Sequence, residues 1–157
     1  MFAEKDLNFE PGAQYEYSNS GYVLLGHLIE HSTGQTYGTA LQERIFSPLK
    51  MENSGYYPAE KIIDNRAAGY DRFANTFRNA NYIDLSVAFS AGGIYSTVED
   101  MYKWDQALYN TELLSEKYKT LMFQKHIPAW GGQHYGYGCD LCKIRLCKSD
   151  VLLVTIG

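Results

Sequence analysis

The start of a helix close to Tyr17 is the feature that most constrains how this chain can fold. The tripeptide Tyr17-Ser18-Asn19 lies directly before an apolar run that extends from Gly21 to Gly26. Asn19 or Ser20 can accept a hydrogen bond from a free backbone N–H of the first helical turn, which is the usual role of an N-cap residue. The sequence therefore predicts a helix that begins near Ser20.

Apolar side chains at helical spacing lie on one side of this helix. Those side chains are Val23, Leu24, Leu28 and Ile29. Gly34 can adopt the left-handed backbone that commonly ends a helix, so we expect the helix to end at about His31. A second helix is predicted from Tyr37 to Ile45, because Pro48 cannot continue the hydrogen-bond ladder.

A capping box marks the next long helix. It follows residues 52–91, which show no clear period and predict loops with short strands at most. Ser96 and Glu99 have the spacing at which each side chain satisfies a free N–H of the first turn. The helix is expected to extend to about Tyr109 and to bury one apolar stripe. That stripe consists of Val98, Met101, Trp104 and Leu108.

The C-terminal part of the chain combines a short helix with strands. Ser115 is a candidate cap for a helix through Met122, and the segments Tyr135–Cys139 and Val151–Ile156 have the pattern of strands. The 157 residues contain no internal repeat or linker and fall within the size of a single domain. The sequence therefore predicts an α+β fold in which helices predominate.

Charge and composition exclude two classes of partner. The net charge is −4 and no basic stripe offsets it, so we expect no nucleic-acid partner. No apolar stretch is long enough to cross a bilayer, so we expect no membrane-spanning segment in this chain. An aromatic content of 15%, with 14 tyrosines, is typical of a folded domain rather than a disordered chain.

Neither a metal ion nor another cofactor is expected, although two groups of candidate ligands are present. The first group consists of His134, Cys139, Cys142 and Cys147. Structural zinc sites usually pair two short-spaced couples of ligands, whereas this group has one couple and an unpaired cysteine. His27 and His31 lie four residues apart on one helix face, but no third ligand accompanies them.

Several short motifs accompany Tyr17-Ser18-Asn19 in a fixed order. They are Pro11-Gly12, Leu24-Leu25-Gly26, Thr33-Gly34-Gln35, Ile45-Phe46-Ser47-Pro48-Leu49-Lys50-Met51, Ala68-Gly69-Tyr70 and Gly92-Gly93-Ile94-Tyr95-Ser96-Thr97. With this series, residues 9–138 resemble the serine hydrolases of the β-lactamase and penicillin-binding-protein superfamily. They are most similar to class C β-lactamases, D-amino-acid peptidases and esterases. Tyr17-Ser18-Asn19 matches the Tyr-x-Asn motif of that branch.

The resemblance implies a mainly helical fragment of a β-lactamase/transpeptidase-like fold with one or two C-terminal strands. Residues 1–138 would form a partial domain, made of the helical subdomain and the start of a return strand. Residues 139–157 would form a divergent cysteine-containing tail with a strand. The N- and C-terminal parts of the same domain would then lie outside this chain. Most bacterial relatives are exported or membrane-attached, which implies a periplasmic or extracellular protein.

The resemblance also implies roles for two residues in acyl transfer to a serine. Tyr17 would take the proton of the serine hydroxyl, because nearby cationic groups favour the ionised form of a phenol. Asn19 would use its amide as donor and acceptor to hold the lysine of the nucleophile motif and a substrate carbonyl. Ser18 occupies the variable middle position and receives no catalytic role. The substrate of the full-length protein would be a β-lactam, a D-amino-acid peptide or an ester.

Two further segments match the residue patterns of the other family motifs but not their positions in the chain. Ser47-Pro48-Leu49-Lys50 fits the nucleophile pattern Ser-x-x-Lys, but it ends a helix instead of opening one and follows Tyr17 instead of preceding it. His134-Tyr135-Gly136 fits His-x-Gly, but it lies before the strand that should carry this motif. We therefore expect a serine-hydrolase fragment that is inactive by itself. The alternative is a non-catalytic binding module, or a decayed remnant, on the same scaffold.

Four tyrosines in the loop region offer two interpretations. They are Tyr56, Tyr57, Tyr70 and Tyr82. They could line a substrate groove, but tyrosine is also a common residue in half-buried loops, and we favour this second interpretation.

Overall fold

Four α-helices and short antiparallel sheets make up the computed structural model, which describes residues 6–57, 62–146 and 149–156. The chain divides into two compact units. Residues 18–105 form the first, which we call the helical unit, and the segments on either side of them form the second, which we call the sheet unit. The mixture of helices and strands confirms the predicted α+β class. None of the described helices combines the length and apolar character that crossing a membrane requires.

The first helix, α1, spans Asn19–Thr33 and confirms the helix predicted from about Ser20 to His31. Gly34 ends it with a φ of 69°, in the left-handed region where a side chain would be strained. The apolar side chains of this helix are largely exposed in the described structure. Leu24 is 46% exposed and Leu28 is 62% exposed, and the residue that α1 does bury is Gly26.

The second helix, α2, spans Tyr37–Leu41 and continues into a π-helical turn at Gln42–Phe46. Together the two elements confirm the helix predicted up to Ile45. The side-chain hydroxyl of Thr36 caps α2 and accepts a hydrogen bond from the Thr39 N–H at 3.2 Å. The buried apolar residues of the helical unit are concentrated here and in the following turn. They are Tyr37, Ala40, Leu41, Phe46, Leu49, Met51 and Tyr57.

Short strands and single 3₁₀ turns occupy the described part of residues 52–91, as predicted. These elements are β1 (Gly55–Tyr56), β2 (Tyr70–Phe73), β3 (Thr76–Asn79) and the 3₁₀ turns Leu85–Val87 and Phe89–Ala91. β2 and β3 form an antiparallel hairpin. β1 pairs with β4 (Ile94–Tyr95), which follows β3 in the sequence. β4 lies directly before the third helix.

The third helix, α3, spans Val98–Leu108 and starts differently from the prediction. Thr97 is its cap, because the Thr97 hydroxyl accepts a hydrogen bond from the Asp100 N–H at 3.3 Å. The predicted capping box of Ser96 and Glu99 is therefore wrong, because the cap is Thr97, the residue after Ser96. The Ser96 hydroxyl instead lies 2.7 Å from the hydroxyl of Ser54.

The apolar stripe predicted for α3 is buried only in part, since Trp104 and Leu108 are half-buried and the other two members are exposed. Val98 is 80% exposed and Met101 is 47% exposed, whereas Asp100 is fully buried and Ala107 nearly so. The buried side of α3 therefore begins with the carboxylate of Asp100. A polar residue takes this place because its hydrogen-bond partners are supplied by a turn that is distant in sequence, as described below.

The sheet unit contains the fourth helix and a four-stranded antiparallel sheet. The helix, α4, spans Glu116–Met122 as predicted, although the Ser115 hydroxyl makes no capping hydrogen bond in the described structure. The strands lie in the order β5 (Ile127–Pro128), β6 (His134–Tyr135), β7 (Cys139–Leu146) and β8 (Ser149–Ile156). β8 confirms the strand predicted near the C-terminus.

The strand predicted from Tyr135 to Cys139 is wrong. The chain turns between β6 and β7, where Gly138 has a φ of 73° and the Gly136 N–H donates to the Cys139 carbonyl at 2.8 Å. Two glycines in this span favour a turn over a continuous strand. The apolar alternation that suggested a strand therefore belongs to the ends of two neighbouring strands.

Candidate active site

Tyr17 lies in a segment, residues 14–18, that belongs to no helix or strand and leads directly into α1. A turn precedes this segment, in which the Ala13 N–H donates to the Glu10 carbonyl at 3.0 Å and Gly12 has a φ of 83°. Tyr17 is 39% exposed. Part of its side chain is therefore accessible from solvent, as a residue that contacts a substrate requires.

Ser18 forms the N-cap of α1. Its side-chain oxygen accepts a hydrogen bond from the Gly21 N–H at 3.2 Å, and its carbonyl accepts from the Tyr22 N–H at 3.2 Å. The prediction that Asn19 or Ser20 is the cap is wrong, because Ser18 is the residue with the extended backbone, φ −139° and ψ 111°, that a cap needs. Asn19 is the first residue of α1 and is exposed. The cap is supplied by Ser18 and not by the Asn19 amide.

The first two turns of α1 are anchored within the helical unit. The Ser90 hydroxyl donates to the Tyr22 carbonyl at 2.7 Å. One turn later, Gly26 is buried, and a Cβ atom there would lie 2.1 Å from the Ser90 Oγ and 2.7 Å from the ring of Phe89. Only glycine permits this approach. The contact fixes the N-terminal half of α1, and with it the backbone of Asn19.

Ser47 and Lys50 do not have the geometry of a nucleophile motif. They lie in the turn after the π-helical segment, where Lys50 has a left-handed φ of 54° and its N–H donates to the Ser47 carbonyl at 3.1 Å. The Ser47 hydroxyl accepts a hydrogen bond from the side-chain amide of Gln42 at 3.0 Å. A serine and a lysine that cooperate on a helix instead lie one turn apart on the same face.

Of the residues considered for a zinc site, the structure describes His134 and Cys139 in full. His134 lies in β6 opposite Leu141 of β7. Cys139 is fully buried, and burial followed by the charge of Asp140 raises the pKa of its thiol, which disfavours the thiolate that binds metals. Among the described residues, no group of three or more His, Cys, Asp or Glu side chains could hold a metal ion. Cys147 and the side chain of Cys142 lie outside the described residues.

His27 has partners that are unrelated to metal binding. Its Nδ1 lies 3.3 Å from the Glu30 carboxylate on the same helix. Its ring packs against Phe89 with the two centroids 4.9 Å apart. These contacts give His27 a place in the packing beside α1.

The four loop tyrosines differ in burial and in their contacts. Tyr57 is buried, whereas Tyr56 packs edge-to-face on Tyr37 with centroids 5.5 Å apart. Burial raises the pKa of both the Tyr56 and the Tyr37 phenol, so neither is suited to act as a base near neutral pH. The other two, Tyr70 and Tyr82, are exposed. The interpretation as loop packing therefore fits Tyr56 and Tyr57.

An open cleft of about 270 Å³ lies between the end of α1 and α2. Its walls include apolar residues such as Ile29 and Leu41, together with Arg44. Neither Tyr17 nor Asn19 lines this cleft, which therefore does not belong to the candidate active site.

Comparisons with known proteins identify the family of this chain. The family model described as Beta-lactamase matches residues 1–141. The putative penicillin-binding protein PbpX of Bacillus subtilis is 33% identical over 129 residues, which cover 82% of this chain and 32% of that protein. The chain therefore spans about a third of the length of this curated relative.

Solved structures with the same fold include an amidase and a penicillin-binding protein. The D-amino acid amidase of Ochrobactrum anthropi SV3, complexed with L-phenylalanine, superposes with a TM-score of 0.78 and 30% identity, covering 92% of this chain and 46% of the amidase. A penicillin-binding protein from Bacillus halodurans superposes with a TM-score of 0.73 and 28% identity, covering 87% of this chain and 43% of that protein.

Proposed function

The chain belongs to the β-lactamase family, and we propose that it is the part of an acyl-enzyme serine hydrolase that carries the catalytic Tyr-x-Asn motif. The observation that carries the proposal is the place of Tyr17. Its side chain is partly exposed, and it directly precedes the cap of a helix whose first two turns are anchored by Ser90 and Gly26. A base that serves a nucleophile needs this combination of access and a fixed backbone.

In this proposal Tyr17 and Asn19 have distinct roles. The Tyr17 phenolate takes the proton of the nucleophilic serine while the serine oxygen attacks the substrate carbonyl carbon. The resulting phenol then donates the proton to the leaving group. In the second half of the reaction, Tyr17 accepts a proton from the hydrolytic water as the water attacks the acyl carbon, and it returns this proton to the serine oxygen as the acyl bond breaks. The Asn19 amide binds the lysine of the nucleophile motif and the substrate carbonyl. Ser18 serves as the helix cap.

We place the nucleophile outside the residues of this chain. The Ser47 and Lys50 pair is in a left-handed turn, and the chain spans only 32% of PbpX, so most of the length of such a relative has no counterpart here. The chain alone is therefore expected to be inactive. Residues 1–138 then correspond to a partial domain and residues 139–157 to a divergent tail, and the remaining N- and C-terminal parts of the domain complete it.

We propose a small-molecule or peptide substrate: a β-lactam, a D-amino-acid peptide or amide, or an ester. The names of the relatives support this range, since they include penicillin-binding proteins, D-aminopeptidases and a D-amino acid amidase. All of these substrates share one requirement, which is a carbonyl carbon open to attack by a serine. By family membership we also expect a periplasmic or extracellular location.

A non-catalytic binding module on the same scaffold is the second candidate. The absence of a helix-opening Ser-x-x-Lys from these 157 residues favours it. A full-length sequence in which such a motif precedes Tyr17 would exclude this candidate, and a full-length sequence without one would support it.

Replacing the Tyr17 hydroxyl tests the proposed enzyme. In the full-length protein, Tyr17→Phe should lower the acylation rate by about 10²–10⁴, the usual effect of losing a general base. Stopped-flow acylation with nitrocefin, a D-amino-acid p-nitroanilide and a p-nitrophenyl ester covers the substrate range. Tyr82→Phe, which removes the hydroxyl of another exposed tyrosine, is the matched control and should leave the rate unchanged. Equal rates for Tyr17→Phe and the wild type would reject Tyr17 as the base.

A further inference from the structure

The ring of Tyr15 is held between two aromatic residues of the sheet unit. Its centroid lies 5.6 Å from that of Trp130 in an edge-to-face arrangement at 76°, and 4.8 Å from that of Tyr135 at a tilt of 38°. Both separations are within the range of favourable aromatic pairs. On this basis, and resting on the proposed function, we propose that Tyr15 is a positioning residue that fixes the backbone carrying Tyr17.

Backbone hydrogen bonds fix the turn that carries Trp130, one of the two residues packed against the Tyr15 ring. Trp130 belongs to a tight turn between β5 and β6, in which the Gln133 N–H donates to the Trp130 carbonyl at 3.2 Å and the Ala129 N–H to the Gln133 carbonyl at 2.9 Å. The two glycines that follow Trp130 have φ values of 66° and 76°, which make this turn sharp. The indole ring is therefore presented by a turn whose shape is fixed by backbone hydrogen bonds.

Tyr135 is held on both sides by the sheet. It lies opposite Ile127 of β5 and opposite Asp140 of β7, so its strand is an inner strand. Its carbonyl also accepts a hydrogen bond from the His126 N–H at 3.1 Å. A ring carried by an inner strand has less freedom than a ring carried by a loop. The Tyr15 ring therefore packs against Trp130 and Tyr135, whose backbones are both held by hydrogen bonds.

The consequence for Tyr17 follows from chain geometry. Two residues of chain span at most about 7 Å, so fixing the ring and backbone of Tyr15 limits how far the Tyr17 backbone can move. Residues 14–17 belong to no helix or strand, whereas Ser18, which follows them, is held as the cap of α1. A misplacement of about 1 Å can lower a rate by about 10²-fold. The aromatic contacts of Tyr15 replace the constraint that secondary structure would supply.

The sheet unit offers a matched control for these contacts. The ring of Tyr137 stacks on His126 with centroids 4.3 Å apart and an interplanar angle of 15°. Tyr137→Ala therefore removes a comparable aromatic contact from the same unit, but at a position distant in sequence from Tyr17. A general loss of packing should affect both variants equally, whereas loss of positioning should affect only Tyr15→Ala.

Steady-state kinetics of the full-length protein test the inference. Tyr15→Ala should lower kcat by about 10–100-fold with little change in KM, because the base is displaced and the substrate contacts are kept. Tyr15→Phe keeps the ring and should restore the wild-type rate to within about twofold, and Tyr137→Ala should also stay within about twofold. A Tyr15→Ala rate equal to the wild-type rate, or an equal decrease for Tyr137→Ala, would overturn the inference.

A double-mutant cycle separates positioning from a structural effect. Once Tyr17→Phe has removed the base, adding Tyr15→Ala should lower the rate by no more than about twofold, because nothing remains to be positioned. Multiplicative effects of the two variants would overturn the inference but would leave the proposed function intact. A Tyr17→Phe variant with the wild-type rate would overturn both. If Tyr15→Ala does not fold, Trp130→Ala removes one of the two contacts from the other side and should show the same non-additivity with Tyr17→Phe.

Discussion

The two longest helices, α1 and α3, start with the same capping chemistry but in opposite surroundings. Ser18 caps α1 and Thr97 caps α3, each by accepting a hydrogen bond from a backbone N–H three residues ahead. Ser18 and Asn19 are exposed. Asp100, in the first turn of α3, is fully buried.

The buried start of α3 is the centre of a polar network. The Asp100 carboxylate accepts hydrogen bonds from the Asn53 N–H at 2.7 Å, from the Ser54 hydroxyl at 2.9 Å and from the Lys103 ammonium at 2.7 Å. Two of these partners belong to a turn nearly fifty residues earlier in the sequence. The network therefore connects distant parts of the helical unit.

The two helix starts differ in how far their polar residues are buried. All the oxygens and donors around Asp100 are used to bind one another, so this helix start contributes to stability. At the start of α1, Asn19 is instead exposed and the preceding Tyr17 is 39% exposed, which fits the roles proposed for both residues.

The largest loss of stability is expected from Asp100→Ala. Removing the carboxylate leaves the Asn53 N–H and the Ser54 hydroxyl without their acceptor, and we expect a loss of about 3–5 kcal/mol in the free energy of unfolding. Urea unfolding of the full-length protein followed by circular dichroism measures it. Glu99→Ala removes the neighbouring exposed carboxylate and should stay within about 0.5 kcal/mol. Equal effects of the two variants would remove the contrast between the helix starts.

The pH dependence of stability tests the same network. Burial raises the pKa of Asp100, but the hydrogen bonds from Lys103, Ser54 and the Asn53 N–H lower it by more, so the pKa of this carboxyl lies below its usual value. The contribution of Asp100 is therefore present above the unfolded pKa of about 4 and is lost as the pH falls through the lower folded value. Asp100→Asn should flatten the stability profile in this acidic range, and an unchanged profile would contradict the network.

An intermediate loss is expected from Gly26→Ala. The added methyl group would overlap the Ser90 side chain, and we expect a cost of about 1–3 kcal/mol in the free energy of unfolding. Gly21→Ala on the same helix is the matched control, because the nearest atom to its Cβ would be 3.7 Å away. That substitution should be neutral or stabilise by up to about 1 kcal/mol. If both variants behaved alike, the close approach at Gly26 would not anchor α1.

The smallest loss is expected from Ser18→Ala. Removing the cap of an exposed helix start should cost about 1 kcal/mol in the free energy of unfolding. Ser20→Ala, a serine in the first turn of the same helix, should cost less, because its hydroxyl is not the cap. A larger loss for Ser20→Ala would show that the cap is Ser20, as the sequence alone suggested.

Local signals in the sequence predicted the helices better than their ends and their buried faces. Gly34 and the apolar spacing of α1 identified that helix, because its stop signal is local. Three adjacent polar residues could each cap it, so backbone conformation selected Ser18 where the sequence favoured Asn19 or Ser20. The roles of Asp100 and Tyr15 were missed because both depend on partners far away in sequence.

Mapping the acylated residue of the full-length protein is the most direct test of the central claim. The protein is treated with a penicillin and, separately, with a fluorophosphonate, which labels activated serines whatever their natural substrate. Tryptic peptides are then analysed by mass spectrometry. We expect an adduct on the serine of a Ser-x-x-Lys motif outside these 157 residues, which is lost when that serine is replaced by alanine. An adduct on Ser47, or no serine adduct with either reagent, would contradict the claim that this chain supplies Tyr17 and Asn19 to a serine nucleophile located elsewhere in the protein.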